Sequence, residues 1–234
     1  MKLLIIDLPG HDAKINLGLE DDLLHLKDGY YGIRFWMNSA AVILGKFQKH
    51  EFEINQEFLQ NKSIPFFYRN TGGGTVYHDE GNLNISFIKS GTNPLPGHEN
   101  AKVSTLITEL ICDTIRQNDA DFVVSKRNAI YFQDKKLLGS AVSMTQGKFL
   151  YHASLLVNSK LENLQNCINW NPQYPADSKK LVKSERDPVI NLAEIYPVTI
   201  DNIKVKLVEN AKILLKPKKT IFISDPEHLE FYLN

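Results

Sequence analysis

An α+β fold, built from mixed and antiparallel sheets flanked by helices, is predicted by three features of this chain. Short runs rich in aromatic and β-branched residues follow one another, helical periodicities interrupt them without strict strand–helix–strand alternation, and no internal repeat occurs. A length of 234 residues suits one domain with a substantial core. The expected organisation is therefore a single domain over 1–234, with 216–234 a short C-terminal tail.

Residues 3–8 read as a strand ended by Pro9-Gly10. Asp12 then suits an N-cap, and Ile15, Leu19, Leu23 and Leu26 recur at helical spacing up to Gly29. Residues 31–37 and 41–44 look like paired strands joined at Asn38-Ser39, and 53–60 a short helix. A strand over 65–69 runs into three glycines. Residues 75–77 and 84–88 flank His78-Asp79-Glu80-Gly81, whose Asp and Gly suit a tight connection. A looser segment, 91–97, holds Pro94 and Pro96. Val103, Leu106, Ile107, Leu110, Ile111 and Ile115 mark the longest amphipathic helix. Strands are expected at 122–124, 129–132, 137–142 and 149–157, with turns at Asp134 and Gly147. Helices are expected at 161–168, 189–195 and 201–215. The tail from Thr220 adds one strand and one helical turn, and 171–178 is the only linker-like stretch.

Composition narrows the function classes. Lys plus Arg equals Asp plus Glu at 27 each, so no global field draws the chain to nucleic acid or an anionic membrane. Any anion site must be local. No stretch approaches the roughly 18 apolar residues of a membrane span, and the opening apolar run is too short for a signal peptide. Cys112 and Cys167 form no CxxC pair or metal-ligand pattern, and read as one buried and one incidental thiol. A reducing compartment, the cytoplasm, is expected.

The chemistry concentrates in two segments. In Arg69-Asn70-Thr71-Gly72-Gly73-Gly74-Thr75-Val76-Tyr77-His78-Asp79, adjacent glycines let the backbone approach a bound group without Cβ interference. Successive N–H groups in such a loop can face a phosphate or carboxylate, and Arg69 adds a permanent cation. The pattern is neither a P-loop nor a dinucleotide-binding GxGxxG, and a plain hairpin loop is the competing reading. In Lys135-Lys136-Leu137-Leu138-Gly139-Ser140-Ala141, a lysine stands at the mouth of an apolar strand beside small residues. Strict alternation from Lys136 places Leu138 and Ser140 on its face, with Leu137, Gly139 and Ala141 opposite. His152 falls on the neighbouring strand of a hairpin and reads as a packing residue rather than an acid–base catalyst. His78 beside Asp79 lacks a nucleophile to complete a triad. The lysine runs at 179–180 and 216–219 read as solvated surface.

Together these residues resemble the lipoate–protein ligase family, whose signature stands here from Arg69 through Asp79, followed by Gly81-Asn82. Asn16-Leu17-Gly18-Leu19-Glu20, Val42-Ile43-Leu44-Gly45-Lys46, Lys136 through Ala141, His152-Ala153-Ser154-Leu155-Leu156 and Asn191-Leu192-Ala193-Glu194 extend the match to about residue 215. The resemblance implies a class II synthetase-like, biotin/lipoate ligase catalytic domain. It implies ATP, Mg2+ and lipoate as reactants, with lipoyl-AMP as intermediate. The acceptors implied are lipoyl carrier domains of 2-oxoacid dehydrogenase complexes or the glycine cleavage H protein. By the same resemblance, Arg69 and the backbone from Gly74 to Tyr77 hold nucleotide phosphates, and Lys136 contacts both acyl carboxylate and α-phosphate. His152 lies near the intermediate, with Asn82 near the glycine loop. Magnesium would take few protein ligands, and none is identified.

The chain departs from the family pattern at Arg127-Asn128-Ala129, where the family often carries Asn-Asp, and at Val142-Ser143, where an aromatic and an Arg are common. It also stops near the point where full-length ligases continue into a small C-terminal domain, so a separate accessory-domain protein is among the implied partners. The rivals are an ATP-independent or lipoyl-AMP-dependent lipoyl or octanoyl transferase and a non-catalytic module binding a lipoyl compound. Neither cysteine is placed to serve as a transferase nucleophile, and the Gly-Arg-Gly-Arg loop of biotin ligases is absent.

Overall fold

The computed structural model describes residues 1–90, 95, 102–117, 120–145, 147–170, 173–174 and 181–233. Most of the expected proline segment at 91–97, most of the linker-like stretch at 171–178 and the lysines at 179–180 lie outside the described residues.

Two sheets organise the fold. The larger has the order β11(Lys219–Ile223), β1(Lys2–Asp7), β2(Tyr30–Trp36), β6(Asn82–Lys89), β10(Lys148–Leu156), β9(Lys135–Thr145), β8(Ile130–Phe132), β7(Phe122–Val124). Its first two pairings, β1 with β11 and with β2, are parallel and the rest antiparallel. The smaller sheet has the order β4(Phe66–Tyr68), β3(Ala41–Leu44), β5(Val76–His78). The mixed α+β expectation is thus borne out.

Strand β1 shows why the large sheet is covered twice. Leu3 and Ile5 enter one core with Ile33, Phe35, Ile85 and Phe87, whereas Leu4 and Ile6 enter another with Leu23, Leu26 and Ile223. A strand buried on both faces reads as a continuous apolar run rather than an alternating one. Helices α4(Val103–Ile115) and α6(Ile200–Leu215) cover the first face. Helices α1(Ala13–Leu23) and α7(Pro226–Glu230) cover part of the second. The rest of the second face meets the small sheet, which packs on α3(Gln56–Lys62) and α5(Leu161–Cys167).

Several expectations need correction. Residues 31–37 and 41–44 are not partners: β2 pairs with β1 and β6, and β3 with β4 and β5. The chain crosses between sheets at Met37–Ala40 because Asn38 is buried and held by Asn16. The strands on either side of the 78–81 turn likewise belong to different sheets. The short helix at 53–60 is two, α2(His50–Glu53) and α3, because Asn55 caps a fresh start at Phe58 N. The helix expected at 189–195 is a bridge at Val189 and a single 3-10 turn, Leu192–Glu194, closed by an Asn191–Glu194 capping box. Both cysteines are buried and free, so neither is incidental. No helix among the described residues is long and apolar enough to cross a membrane.

Helix α1 begins as read, with Asp12 accepting from Ile15 N at 2.9 Å. Its buried stripe, however, is Ala13, Asn16, Glu20 and Leu23, and Ile15 is 69% exposed. The rotation turns two polar side chains inward, onto the site.

Candidate functional site

The site lies where the second face of the large sheet meets the glycine loop of the small one. Cross-strand pairs Trp36–Asn84, Asn84–Ser154 and Ser154–Gly139 form one row, and Arg34–Ser86, Ser86–His152 and His152–Ala141 the next. Directly paired residues share a face, so two rows of mostly polar and small side chains floor the site.

Arg69 shapes the loop above this floor. Its guanidinium donates to carbonyl oxygens of Ile43, Gly72 and Gly74 at 2.7–3.2 Å, and its Nε also to Thr71 Oγ1 at 3.0 Å. A single cation thereby gathers the loop's carbonyls behind it. Burial pushes the guanidinium down to about 10, against the pull of Glu20, and it stays charged at neutral pH. Gly73 takes φ +91°, and a Cβ on Gly45 would sit 2.1 Å from Gly73 O, so the tight fold of the loop needs glycine on both strands of approach.

Two buried networks hold the loop from either side. On one, Glu20 Oε2 meets His152 Nδ1 at 2.9 Å, and His152 Nε2 meets Thr71 Oγ1 at 2.8 Å. Burial alone would raise the Glu20 carboxyl, but the His152 charge, bonds from His152 and Ser86, and Arg34 outweigh it and hold it low. On the other, Gln48 accepts from Gly45 N and Thr75 Oγ1 and donates to Glu53, while Ser184 bonds Glu53 and accepts from Thr75 N at 3.0 Å. Residues 182–184 therefore run across the loop.

Lys136 departs from the alternation expected of it. Ile130 pairs with Leu138 but Tyr131 with Lys136, so Leu137 is an extra residue, a β-bulge. The bulge turns Lys136 onto the face of Gly139 and Ala141: its Cε lies 3.5 Å from where a Gly139 Cβ would stand. Leu137 and Leu138 are both fully buried in the core. The backbone of Lys136 is clasped by Pro188 O and Ile190 N, and its Nζ donates to Asp187 Oδ2 at 2.8 Å.

Two cavities adjoin at this lysine. One, of about 330 Å³, is lined by Leu17, Trp36, Ile43 and Ala153 among apolar groups. The other, of about 100 Å³, is walled by Leu138, Leu156, Leu164, Ile168 and Trp170. Lys136, Thr75, Val76, Gly139 and Ser154 border both.

Of the residues singled out from sequence, Arg69, Gly73, Gly74, Thr75, Val76, His78, Lys136, Gly139, Ser140, Ala141 and His152 border the larger cavity. Ser140 does so by its backbone side, since its hydroxyl donates to Asn128 O. Tyr77 borders the smaller cavity. Gly72 lies against Phe47 instead. Asp79 holds the turn, accepting from Gly81 N and Lys160 N, and Asn82 is buried between Asn84 and Ser154. Sequence reasoning missed Glu20, Gln48, Glu53, Ser184 and Asp187. Asn16 through Glu20 stood in the family match without a role, and their spacing of four within an otherwise amphipathic helix was a further signal. Among the described residues no group of three or more His, Cys, Asp or Glu is placed to hold a metal ion.

The glycine loop thus stands over a paired lysine, beside a cavity that combines the cations Arg69, Arg127, Lys136 and Lys183 with an apolar wall of Leu17, Trp36 and Ile43. The model of the lipoyl protein ligase A/B catalytic domain matches residues 12–212. The chain belongs to that family. It is 30% identical over 217 residues to lipoate-protein ligase A subunit 1 of Thermoplasma acidophilum, covering 88% of this chain and 81% of that one. It is 31% identical to lipoate–protein ligase 1 of Staphylococcus aureus, covering 90% of this chain but 60% of that enzyme. The fold superposes on an archaeal bi-partite lipoate protein ligase from T. acidophilum, solved with its E2 lipoyl domain, with a TM-score of 0.71 and 26% identity over 96% of this chain and 86% of that one. It also resembles P. falciparum LipL1 in complex with lipoate, with a TM-score of 0.76 and 24% identity over 98% of this chain and 70% of that one.

Proposed function

We propose that this chain is the catalytic part of a lipoate–protein ligase, which activates lipoate with ATP to lipoyl-AMP, releasing pyrophosphate, and passes the lipoyl group to a lysine of a carrier protein. The observation that carries this reading is the position of Lys136, which borders both a larger cavity of mixed apolar and cationic lining and a second, smaller one, each adjoining the glycine loop.

The larger cavity suits the acyl chain and the smaller a flat base. An acyl carboxylate oxygen attacks the α-phosphorus, the bond to the bridging oxygen breaks, and pyrophosphate leaves. The acceptor amine then attacks the acyl carbonyl, loses a proton, and AMP departs. Both steps crowd negative charge at one point. Lys136 supplies a fixed counter-charge there, a contribution of roughly 3–4 kcal/mol for a well-placed donor. Arg69 acts largely through the loop it shapes, although the resemblance also gives it a direct hold on phosphate. Mg2+ would neutralise phosphate charge. The carboxylates bordering both cavities, Glu185 and Asp187, are each paired with a cation, Arg127 and Lys136, so such a metal would be carried in on the phosphates with few protein ligands.

The acceptors proposed are lipoyl domains of 2-oxoacid dehydrogenase complexes or the glycine cleavage H protein. A separate accessory-domain protein is proposed as partner, as the subunit naming of one T. acidophilum relative and the bi-partite ligase suggest; the chain spans 54–60% of the length of three other bacterial relatives. A cysteine-dependent transfer is disfavoured: burial raises both thiols, Cys167 to about 12.

Lipoate-dependent exchange of label between pyrophosphate and ATP tests the activation step. Exchange supports the ligase. Transfer from preformed lipoyl-AMP without exchange would move the assignment to a transferase, and binding without either would leave a non-catalytic module.

A further inference from the structure

A directed chain of buried hydrogen bonds leads to His78 at the border of the larger cavity. Arg34, which can only donate, gives Nη2–H to Asn16 Oδ1; Asn16 Nδ2 donates to Asn38 Oδ1; Asn38 Nδ2 meets His78 Nδ1 at 3.1 Å. Because the chain begins at a guanidinium, each amide's orientation follows from the one before. Nδ1 of His78 must accept, so the proton of its neutral ring is on Nε2. Burial first, then the charges of Arg69 and His152, push His78 down to about 3, which keeps the ring neutral.

That Nε2–H is buried, on a side chain bordering the cavity, and has no partner in the protein. Beside it in the same condition is Asn84 Nδ2, whose Oδ1 accepts from Asn82. Arg34 Nε is likewise unbonded, but Arg34 does not border the cavity; among the floor groups that do, Trp36 Nε1 bonds Ser86, Ser154 Oγ bonds Asn82, and His152 bonds Thr71 and Glu20. Buried polar groups are ordinarily bonded, so two unbonded donors on side chains that border one cavity call for an acceptor brought by the ligand.

The position of these donors selects which part of the ligand meets them. Asn84 is two strands across the sheet from Gly139, beside which the Lys136 side chain lies, or roughly 10 Å at the usual strand spacing. His78 lies alongside, its ring edge-on to Trp36 at 5.7 Å between centroids. If the carboxylate end is at Lys136, these donors meet the far end of the chain.

We propose that His78, with Asn84, forms an acceptor-demanding subsite that selects an acyl chain bearing lone pairs at its distal end, as a dithiolane does, over an all-methylene chain of equal length. This rests on the acyl-ligase reading and deepens it. An alkyl tail packed against these side chains leaves both donors unbonded, whereas a tail with lone pairs can accept from them. The discrimination expected is about tenfold or more in affinity.

Calorimetric titration of the full chain with R-lipoate, octanoate and 6-oxooctanoate, each with and without a non-hydrolysable ATP analogue, tests this. Lipoate and the oxo acid should bind about tenfold more tightly than octanoate. His78→Phe should bring the three within about threefold, whereas His78→Gln, which can accept from Asn38 and still donate, should keep the preference. Equal binding of all three acids by the unaltered protein, or an unchanged preference in His78→Phe, would overturn the subsite while leaving the ligase reading standing. Failure of every acid to bind would remove both. Should His78→Phe not fold, the ligand series and His78→Gln decide alone.

Discussion

Lys136 and Asp187, 51 residues apart, form an ion pair of 2.8 Å at the junction of two cavities, each side chain about 30% exposed. Asp187 occupies the place at the ammonium that an incoming carboxylate or phosphate would take. Lys136→Ala should lower acyl transfer at least about a hundredfold. It should cost no more than ~1 kcal/mol of stability, since a half-exposed pair contributes little. Asp187→Asn should instead lower the KM for the acyl acid. Steady-state kinetics beside urea denaturation reads both, and normal turnover in Lys136→Ala removes its assigned role.

The Glu20–His152–Thr71 line ties helix α1 to the glycine loop through a carboxylate that is 3% exposed. Removing the carboxylate leaves the buried groups that meet it, His152 Nδ1 and Ser86 Oγ, without that partner. Glu20→Ala should destabilise by about 1–3 kcal/mol. A shift in the urea midpoint much smaller than this would mean that His152 is held by other contacts.

Gly45 and Gly18 offer an internal contrast. A Cβ at Gly45 would collide with Gly73 O at 2.1 Å, whereas at Gly18 nothing lies within 4 Å. Gly45→Ala should displace the loop and lower adenylate formation at least about tenfold, one displaced donor being enough for that. Gly18→Ala, in mid-helix, should stabilise by ~0.5–1 kcal/mol with activity retained. Equal activity in the two variants would count against the loop as the nucleotide-holding element.

Acid should weaken the fold through His78. Its folded value is depressed to about 3, so between that value and the ordinary 6.5 the unfolded chain binds a proton that the folded one refuses. Stability therefore falls as pH drops below about 6.5, with a slope of up to ~1.4 kcal/mol per pH unit from this group. Glu20, held low, acts in the same direction only near and below its ordinary 4.5. Urea unfolding at pH 7 and pH 5 separates the two, and His78→Gln should flatten the dependence in that interval.

The local features were legible before any coordinates. Asp12 caps α1 as its residue type suggested, and Gly73, Gly74, Arg69 and Lys136 converge on one cavity system. Such features follow from short-range physics: a side-chain oxygen within reach of the next turn's N–H, a backbone freed from Cβ, an alternation of apolar residues. They concern neighbours in the chain, and the chain order displays them.

What faces what came from packing. Helix α1 rotates Ile15 outward and Glu20 inward because Glu20 finds His152, 132 residues away, and Asn16 finds Arg34. A one-residue bulge at Leu137 reverses the face Lys136 presents, and the 182–190 segment reaches the site only by bonding across the loop and β9. Each outcome balances desolvation of a charge against a distant partner, and that balance exists only once the partners have been brought together. Chain order set the parts of this site; burial set their orientation.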